Sequence, residues 1–306
     1  MLKNIHLTGF TMMAAAMILV GSTIVVSKII GEGMPPFMAT ALRFAIASPV
    51  FAFLLWISGQ RIPKLSKREW LLLVIQAAAG SVAYTVLLIM GLSFTSGANA
   101  GVIVGTLPVI MGLMAITVFG ERPTWQLMVA IFAAGLGVLL ITMGTDNGDG
   151  HHDSMRNFIG IGLIFLAVVG EALFLLLNKK ITTPIPALTL STLMSSFGFL
   201  LAIGPAGIEF ASGAYGHISR EAFFGVIYYA LVPTIIGFLL WYGGSARSHS
   251  GEAALATAFM PVSALIFVSV FLHEPVSLQQ AAGCFFVIIA ILVGMYQNGS
   301  GTNNPD

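Results

Sequence analysis

The sequence predicts an all-α integral membrane protein with ten transmembrane helices arranged as two inverted five-helix repeats. Three observations lead there. Hydrophobic residues make up 57% of the 306 residues and charged residues only 8%, whereas a soluble domain carries about a quarter charged residues. With a mean hydropathy of +0.96, the chain cannot cover itself with a water-facing surface. Apolar stretches of about 20 residues, the length that crosses a hydrocarbon core, recur along it with short polar breaks. Finally, one phrase is written twice, as "VFGERP" at 118–123 and "VFLHEP" at 270–275. Each glutamate follows a proline by thirteen residues, and Pro108/Pro261 and Glu121/Glu274 are both 153 residues apart.

The spans follow in order. Span 1 (8–29) begins after Lys3, and Ala14, Ala15 and Ala16 invite a signal-peptide reading. The apolar run continues through Val20 to Val26 without a clean cleavage context, so a helix is the better expectation. Span 2 (36–58) follows "GEGMPP" and carries Arg43. Span 3 (69–92) follows "SGQRIPKLSKRE" and carries Gln76 and Tyr84 on a shared face. Span 4 (97–119) opens with Gly97, Gly101 and Gly105, a spacing that lets helix backbones approach closely in lipid. Asn99 and Thr106, seven apart, share a different face. Span 5 is 125–144, and the loop "GTDNGDGHHDSMRN" separates it from span 6 (157–178), which carries Glu171. Spans 7 (186–207), 8 (220–243, with Trp241 and Tyr242), 9 (250–272) and 10 (277–296) complete the set. An eight-helix count is the competing reading, because some breaks are very short.

Basic residues set the orientation. An inside N-terminus puts Lys3, Arg61, Lys64, Lys67, Arg68, Arg122, Lys179, Lys180 and Arg247 on the cytoplasmic side and leaves Arg156 and Arg220 outside. Both termini are then cytoplasmic, and the expected location is the inner (plasma) membrane. Trp56, Trp70 and Trp125 fall near cytoplasmic helix ends, as interfacial anchors do. Because each half holds an odd number of helices, the second enters the membrane from the opposite side. Exchanging the conformations of two such halves alternates access across a bilayer.

The stretches "GSTIVVSK" (21–28), "ALRFAIASP" (41–49), "GANAGVIVGTLPVIMGLMAITVFGERPT" (97–124) and "GEAALATAFMPVSALIFVSVFLHEPVS" (251–277) resemble the EamA-like branch of the drug/metabolite transporter superfamily. The resemblance implies a first five-helix repeat over 5–144, a second, inverted one over 157–297, and a polar tail over 298–306. It also implies a central cavity lined by helices 1, 3, 4, 6, 8 and 9, with helices 5 and 10 behind, and an activity of exporting amino acids and other small metabolites. The halves are not identical: span 2 has Arg43, while span 7 has no arginine or lysine.

An ionisable group near the bilayer middle is expensive and is a functional candidate by default. Glu171 is that group, suited to binding an amine or carrying a proton; its bland reading is a protonated or paired glutamate that stabilises the bundle. Arg43 is its natural counter-charge or a carboxylate binder, and it can also snorkel outward. With Asn99, Gln76, Tyr84 and Trp241, these residues form the expected substrate site. Glu121 and Glu274 are expected to serve the fold, as carboxylates near helix starts. No HExxH, GxSxG or P-loop occurs. No catalytic residue, metal site or cofactor is expected, and the lack of a basic stripe speaks against nucleic acid. The partners expected are a small-molecule substrate, the lipid bilayer and protons. Efflux of cationic amphiphilic drugs is the alternative within this architecture; a membrane scaffold or an intramembrane enzyme is the alternative outside it.

Overall fold

The structure is a computed structural model that describes residues 2–119, 125, 128, 129, 132, 151–178, 180–213, 218–247, 256, 257 and 259–296. Span 5 apart from residues 125, 128, 129 and 132, Glu121 and the 298–306 tail lie outside the described residues. Among the described residues every regular element is helical. Among the described residues six helices are long and apolar enough to cross a membrane: Leu7–Gly31, Pro36–Ser58, Lys67–Leu92, Met155–Leu177, Ala187–Ala211 and Arg220–Ser245. They match spans 1, 2, 3, 6, 7 and 8.

Span 1 is two segments, α1 (Leu2–Gly21) and α2 (Thr23–Gly31), rather than one helix. The break lies at Ser22, where two neighbouring hydroxyls turn back on carbonyls three residues earlier: Ser22 Oγ donates to Leu19 O and Thr23 Oγ1 to Val20 O, both at 2.6 Å. Such back-bonding competes with the helical ladder and bends helices. Span 2 is α3 (Pro36–Ser58), ended by Gly59 with φ of 65°, a left-handed position natural to glycine. Span 3 is α4 (Lys67–Gln76), a π-helical segment π1 (Ala77–Ala83) and α5 (Tyr84–Leu92). Span 4 is broken at Thr106, two residues before Pro108, into α6 (Gly97–Gly105) and α7 (Leu107–Phe119).

In the second half, α8 (His151–Asn178) is span 6; it begins inside the stretch expected to be loop. Span 7 is α9 (Ala187–Ala211). Span 8 repeats the plan of span 3, with α10 (Arg220–Tyr229), π2 (Ala230–Ile236) and α11 (Gly237–Ser245). Spans 9 and 10 supply α12 (Phe259–Phe271) and α13 (Leu278–Tyr296).

Spans 3 and 8 correspond in detail. Their π segments start 153 residues apart, at Ala77 and Ala230. Their N-caps, Ser66 and Ser219, share that offset, and each side chain accepts a backbone N–H, from Glu69 and Ala222 respectively. Ser219→Ala is therefore expected to cost about 1 kcal/mol, read as a lower midpoint in thermal unfolding of the purified protein.

The helices meet in two main apolar clusters. One joins Ile24, Leu88, Ile103, Ile164 and Ala264, which draws spans 1, 3, 4, 6 and 9 together. The other joins Leu73, Phe174, Leu193 and Tyr242, from spans 3, 6, 7 and 8. Leu175 and Trp241 pack against both. The small-residue face of α6 does what its spacing predicts: Cβ atoms at Gly97 and Gly101 would touch Val268 and Ala264 of α12. Trp56 and Trp125 are exposed, whereas Trp70 is half-buried, edge-on to Phe197 at 6.0 Å.

Candidate functional site

The position of Glu171 is set by the residue before it. A Cβ on Gly170 would lie 2.7 Å from the Ala79 carbonyl, and one on Gly80 would lie 2.3 Å from Phe174 Cβ. Two glycines on opposed helices thus let α8 press against π1. The exposed residues Phe158, Phe165 and Leu166 mark the outward face of α8. Glu171 falls on the opposite face, in line with Ile164 and Val168, which are 0% and 1% exposed. Yet Glu171 is only half-buried. It keeps accessible surface on the side that faces the bundle.

Among the described residues the other glutamates that are at least half-buried are bonded, while Glu32 and Glu221 are exposed. Glu69 accepts from Ser66 N and Thr183 N. Glu209 accepts from the first N–H groups of α3, at Phe37 and Met38. Glu274 pairs with Lys28 and accepts from Ala98 N at the start of α6. These three meet the unpaired N–H groups of turns and helix starts, where negative charge is favoured. Among the described residues Glu171 makes no hydrogen bond and no ion pair. A carboxylate spared from structural service at this depth is a candidate for ligand or proton.

Further unsatisfied groups lie near it. Tyr84 and Tyr242, 5% and 4% exposed, both interact electrostatically with Glu171. Their hydroxyls, and Oε1 of the fully buried Gln76, make no hydrogen bond among the described residues. The Gln76 amide nitrogen donates to Phe174 O at 2.9 Å, which ties span 3 to α8. π1 lies between Gln76 and Tyr84, and the Tyr84 N–H bonds Ala79 O, five residues back. Such a bulge takes up about one residue, so the two side chains stand like an i, i+7 pair. Buried polar groups left without partners in a native fold call for an explanation, such as a bound water or ligand.

Arg43 sits between π2 and the start of α5, just past π1. Its Nε donates to Thr234 Oγ1 at 2.7 Å and its Nη1 to Thr85 Oγ1 at 2.6 Å. Pro233 has no N–H to give to Tyr229 O, and the Thr234 hydroxyl replaces it at 2.8 Å. The Thr85 hydroxyl likewise donates to Ser81 O. With their single protons spent on carbonyls, both threonines present lone pairs to the guanidinium. Its Cζ lies 4.1 Å from the Tyr229 ring centroid and 4.6 Å from that of Phe44, within range of a cation–π attraction. No snorkelling occurs: Arg43 is 5% exposed.

The remaining candidates divide. Trp241 is half-buried on α11 beside Tyr242, between the two apolar clusters. Asn99 stands elsewhere, at the start of α6, with its amide engaged: Nδ2 donates to Thr95 Oγ1 at 3.2 Å, and Oδ1 accepts from Gln280 Nε2 at 2.8 Å. It ties spans 4 and 10 at the helix end where Glu274 ties spans 1, 4 and 9. Thr85, Thr234 and Tyr229 went unnoticed in the sequence. The available signal was Pro233 followed by a hydroxyl residue in the middle of an apolar span. Glu274 does meet a helix start, as expected, but that of α6 rather than of α13, where Ser277 and Gln280 form their own reciprocal cap.

A bundle of apolar helices that holds a free carboxylate, a guanidinium and orphaned hydroxyls at its centre is a membrane-embedded protein built around polar groups. The chain belongs to the EamA-like transporter family, which matches residues 7–143 and again 158–296. It is 34% identical over 286 residues to "Uncharacterized transporter YetK" of Bacillus subtilis, covering 93% of this chain and 86% of that one. It is 25% identical over 289 residues to a "Probable amino-acid metabolite efflux pump" of Salmonella typhimurium, covering 92% and 91%. It is also 25% identical over 254 residues to a "Probable terminal-alkyne amino-acid exporter" of Streptantibioticus cattleyicolor, covering 82% and 81%. A crystal structure at 19% identity superposes with a TM-score of 0.64 over 96% of this chain and 97% of that one, which shows a shared fold.

Proposed function

We propose that this protein is a secondary carrier of the inner membrane that exports amino acids or related small metabolites by alternating access, and that Glu171 lies at its substrate site. One observation carries the reading: Glu171 is a half-buried carboxylate on the inward face of α8 with no partner among the described residues, beside buried hydroxyls that also lack partners there. In this reading ten helices form two inverted repeats, 5–144 and 157–297, with both termini cytoplasmic. Gln76, Tyr84, Trp241 and Arg43 line the site with Glu171, and Asn99 belongs to the outer end of the bundle. The family and the names borne by two relatives support export of an amino-acid-like solute.

Efflux of cationic amphiphiles is the second reading. It is favoured by the aromatic group beside the acid, where Phe238 lies 6.2 Å from Phe174 and 5.9 Å from Tyr242. Uptake and counterflow in proteoliposomes, with a panel of radiolabelled amino acids and with or without a pH gradient, test the first. Saturable flux is expected, reduced at least tenfold by Glu171→Gln and no longer responsive to the gradient in that variant. Equal flux in the variant would make Glu171 a structural residue. Flux of tetraphenylphosphonium but of no amino acid would favour the second reading.

A further inference from the structure

Arg43 is held by neutral groups alone. Its two hydrogen bonds end on threonine hydroxyls and its two close faces are aromatic rings. No carboxylate lies within ion-pair distance of it among the described residues, neither threonine bond uses Nη2, and the Tyr229 hydroxyl is a further neutral neighbour of the guanidinium. A buried charge is costly unless compensated, and charge-assisted pairing with an anion is the strongest compensation open to a guanidinium. Glu171 poses the same problem with the opposite sign. The two meet span 3 at the same point: a Cβ on Gly170, the residue before Glu171, would lie 3.9 Å from Tyr84 N, and Arg43 bonds Thr85, the next residue, yet the two charges form no ion pair.

We propose that Arg43 and Glu171 bracket a zwitterion, with the Arg43 Nη2 amino group taking a substrate carboxylate and the Glu171 carboxylate taking the ammonium of the same molecule. This rests on the carrier reading above and narrows its substrate class to compounds with a free amino group and a free carboxylate on one carbon. The spacing has a physical logic. An α-ammonium and an α-carboxylate oxygen are about 3 Å apart, and a hydrogen bond of roughly 2.9 Å at each end asks for two protein charges farther apart than an ion pair yet close enough to sense each other. The Thr85 and Thr234 bonds fix the guanidinium plane, and the Tyr229 and Phe44 rings keep water from it. Tyr84 Oη, which approaches Thr23 without a hydrogen bond of good geometry, remains free to join either charge. The Phe174–Phe238–Tyr242 group offers an apolar wall for the substrate side chain. Both charges of the ligand are needed, since removing either leaves one protein charge buried and unpaired.

The test uses the purified full-length chain in proteoliposomes and removes charges from the ligand before removing them from the protein. Leucine, phenylalanine and threonine compete for flux, each beside its amide, which lacks the carboxylate, and its deaminated acid, which lacks the ammonium. At least one amino acid is expected to compete tenfold or more better than both of its derivatives. Arg43→Gln should erase the preference of amino acid over amide, and Glu171→Gln the preference over deaminated acid; the wild-type comparison stands even where a variant does not fold. Amides or deaminated acids that compete as well as their parents would overturn the bracket and leave the carrier. Saturable flux of tetraphenylphosphonium with no competition from any amino acid would also overturn it. No saturable flux of any probe, with helical and monodisperse protein, would sink the carrier reading as well.

Discussion

Gly80→Leu is expected to leave little folded protein, and Gly80→Ala to lower the thermal unfolding midpoint markedly. The first atom beyond Cα already decides this. A Cβ at position 80 would lie 2.3 Å from Phe174 Cβ and 2.4 Å from its Cγ. Rotation about χ1 can move the Phe174 Cγ but not its Cβ, which is tied to the backbone of α8. Relief requires α8 and π1 to separate, and separation breaks the Gln76–Phe174 hydrogen bond and loosens the contact that places Glu171. Overpacking of a tight core costs about 1–3 kcal/mol, and Leu adds three further carbons to the clash. Gly170→Ala should behave alike, since its Cβ would lie 2.7 Å from a backbone oxygen. Gly162, on the same helix, is the control: a Cβ there would meet nothing within 4 Å. Gly162→Ala should match or slightly exceed wild-type stability, because alanine is the better helix former. Fluorescence-detected size exclusion after graded heating separates these outcomes. Equal midpoints for the Gly80 and Gly162 variants would mean that the two helices do not need their close approach.

The same contact shows what was legible in the sequence. Apolar length identified spans 1, 2, 3, 6, 7 and 8 directly, because burying the backbone in hydrocarbon demands continuous helix. A lone acid at mid-span singled out Glu171, because charge there is costly whatever surrounds it. The π segments were not legible: nothing in "AAAGSVA" announces an i to i+5 ladder, and only Pro233 hints at one in "ALVPTII". The surroundings of Arg43 followed from those segments, so its partners Thr85 and Thr234 stayed hidden while Arg43 itself stood out. Asn99 drew notice as an isolated polar group, but isolation along the chain is not isolation in space. Gln280, 181 residues on, supplies its partner. The carboxylate at Glu274 was legible as a helix-start group; which helix start it serves is a matter of tertiary packing.

Glu274→Ala is expected to open the end of the molecule that carries Lys28, which the proposed topology puts outside. Glu274 joins three spans through one carboxylate: Lys28 of span 1, Ala98 N–H of span 4, and its own position after span 9. Alternating access requires such a junction to break and re-form. The pair is partly exposed, 25% and 19% by side chain, which limits its worth to the upper end of the surface range, about 1 kcal/mol. The helix-start bond adds a similar amount. A loss of that size shifts a two-state equilibrium roughly tenfold or more. The readout is a thiol placed by Ser27→Cys, at a fully buried position one residue before Lys28, with the native Cys284 replaced by serine. A membrane-impermeant maleimide should label that thiol about tenfold faster in the Glu274→Ala background. The charge-swapped double variant, Lys28→Glu with Glu274→Lys, then distinguishes two causes. It restores an ion pair but sets an ammonium against the positive end of α6, so it should recover only part of the slow labelling. Full recovery would mean that the ion pair alone holds this end closed, and labelling as slow in Glu274→Ala as in the parent would mean that neither contact does.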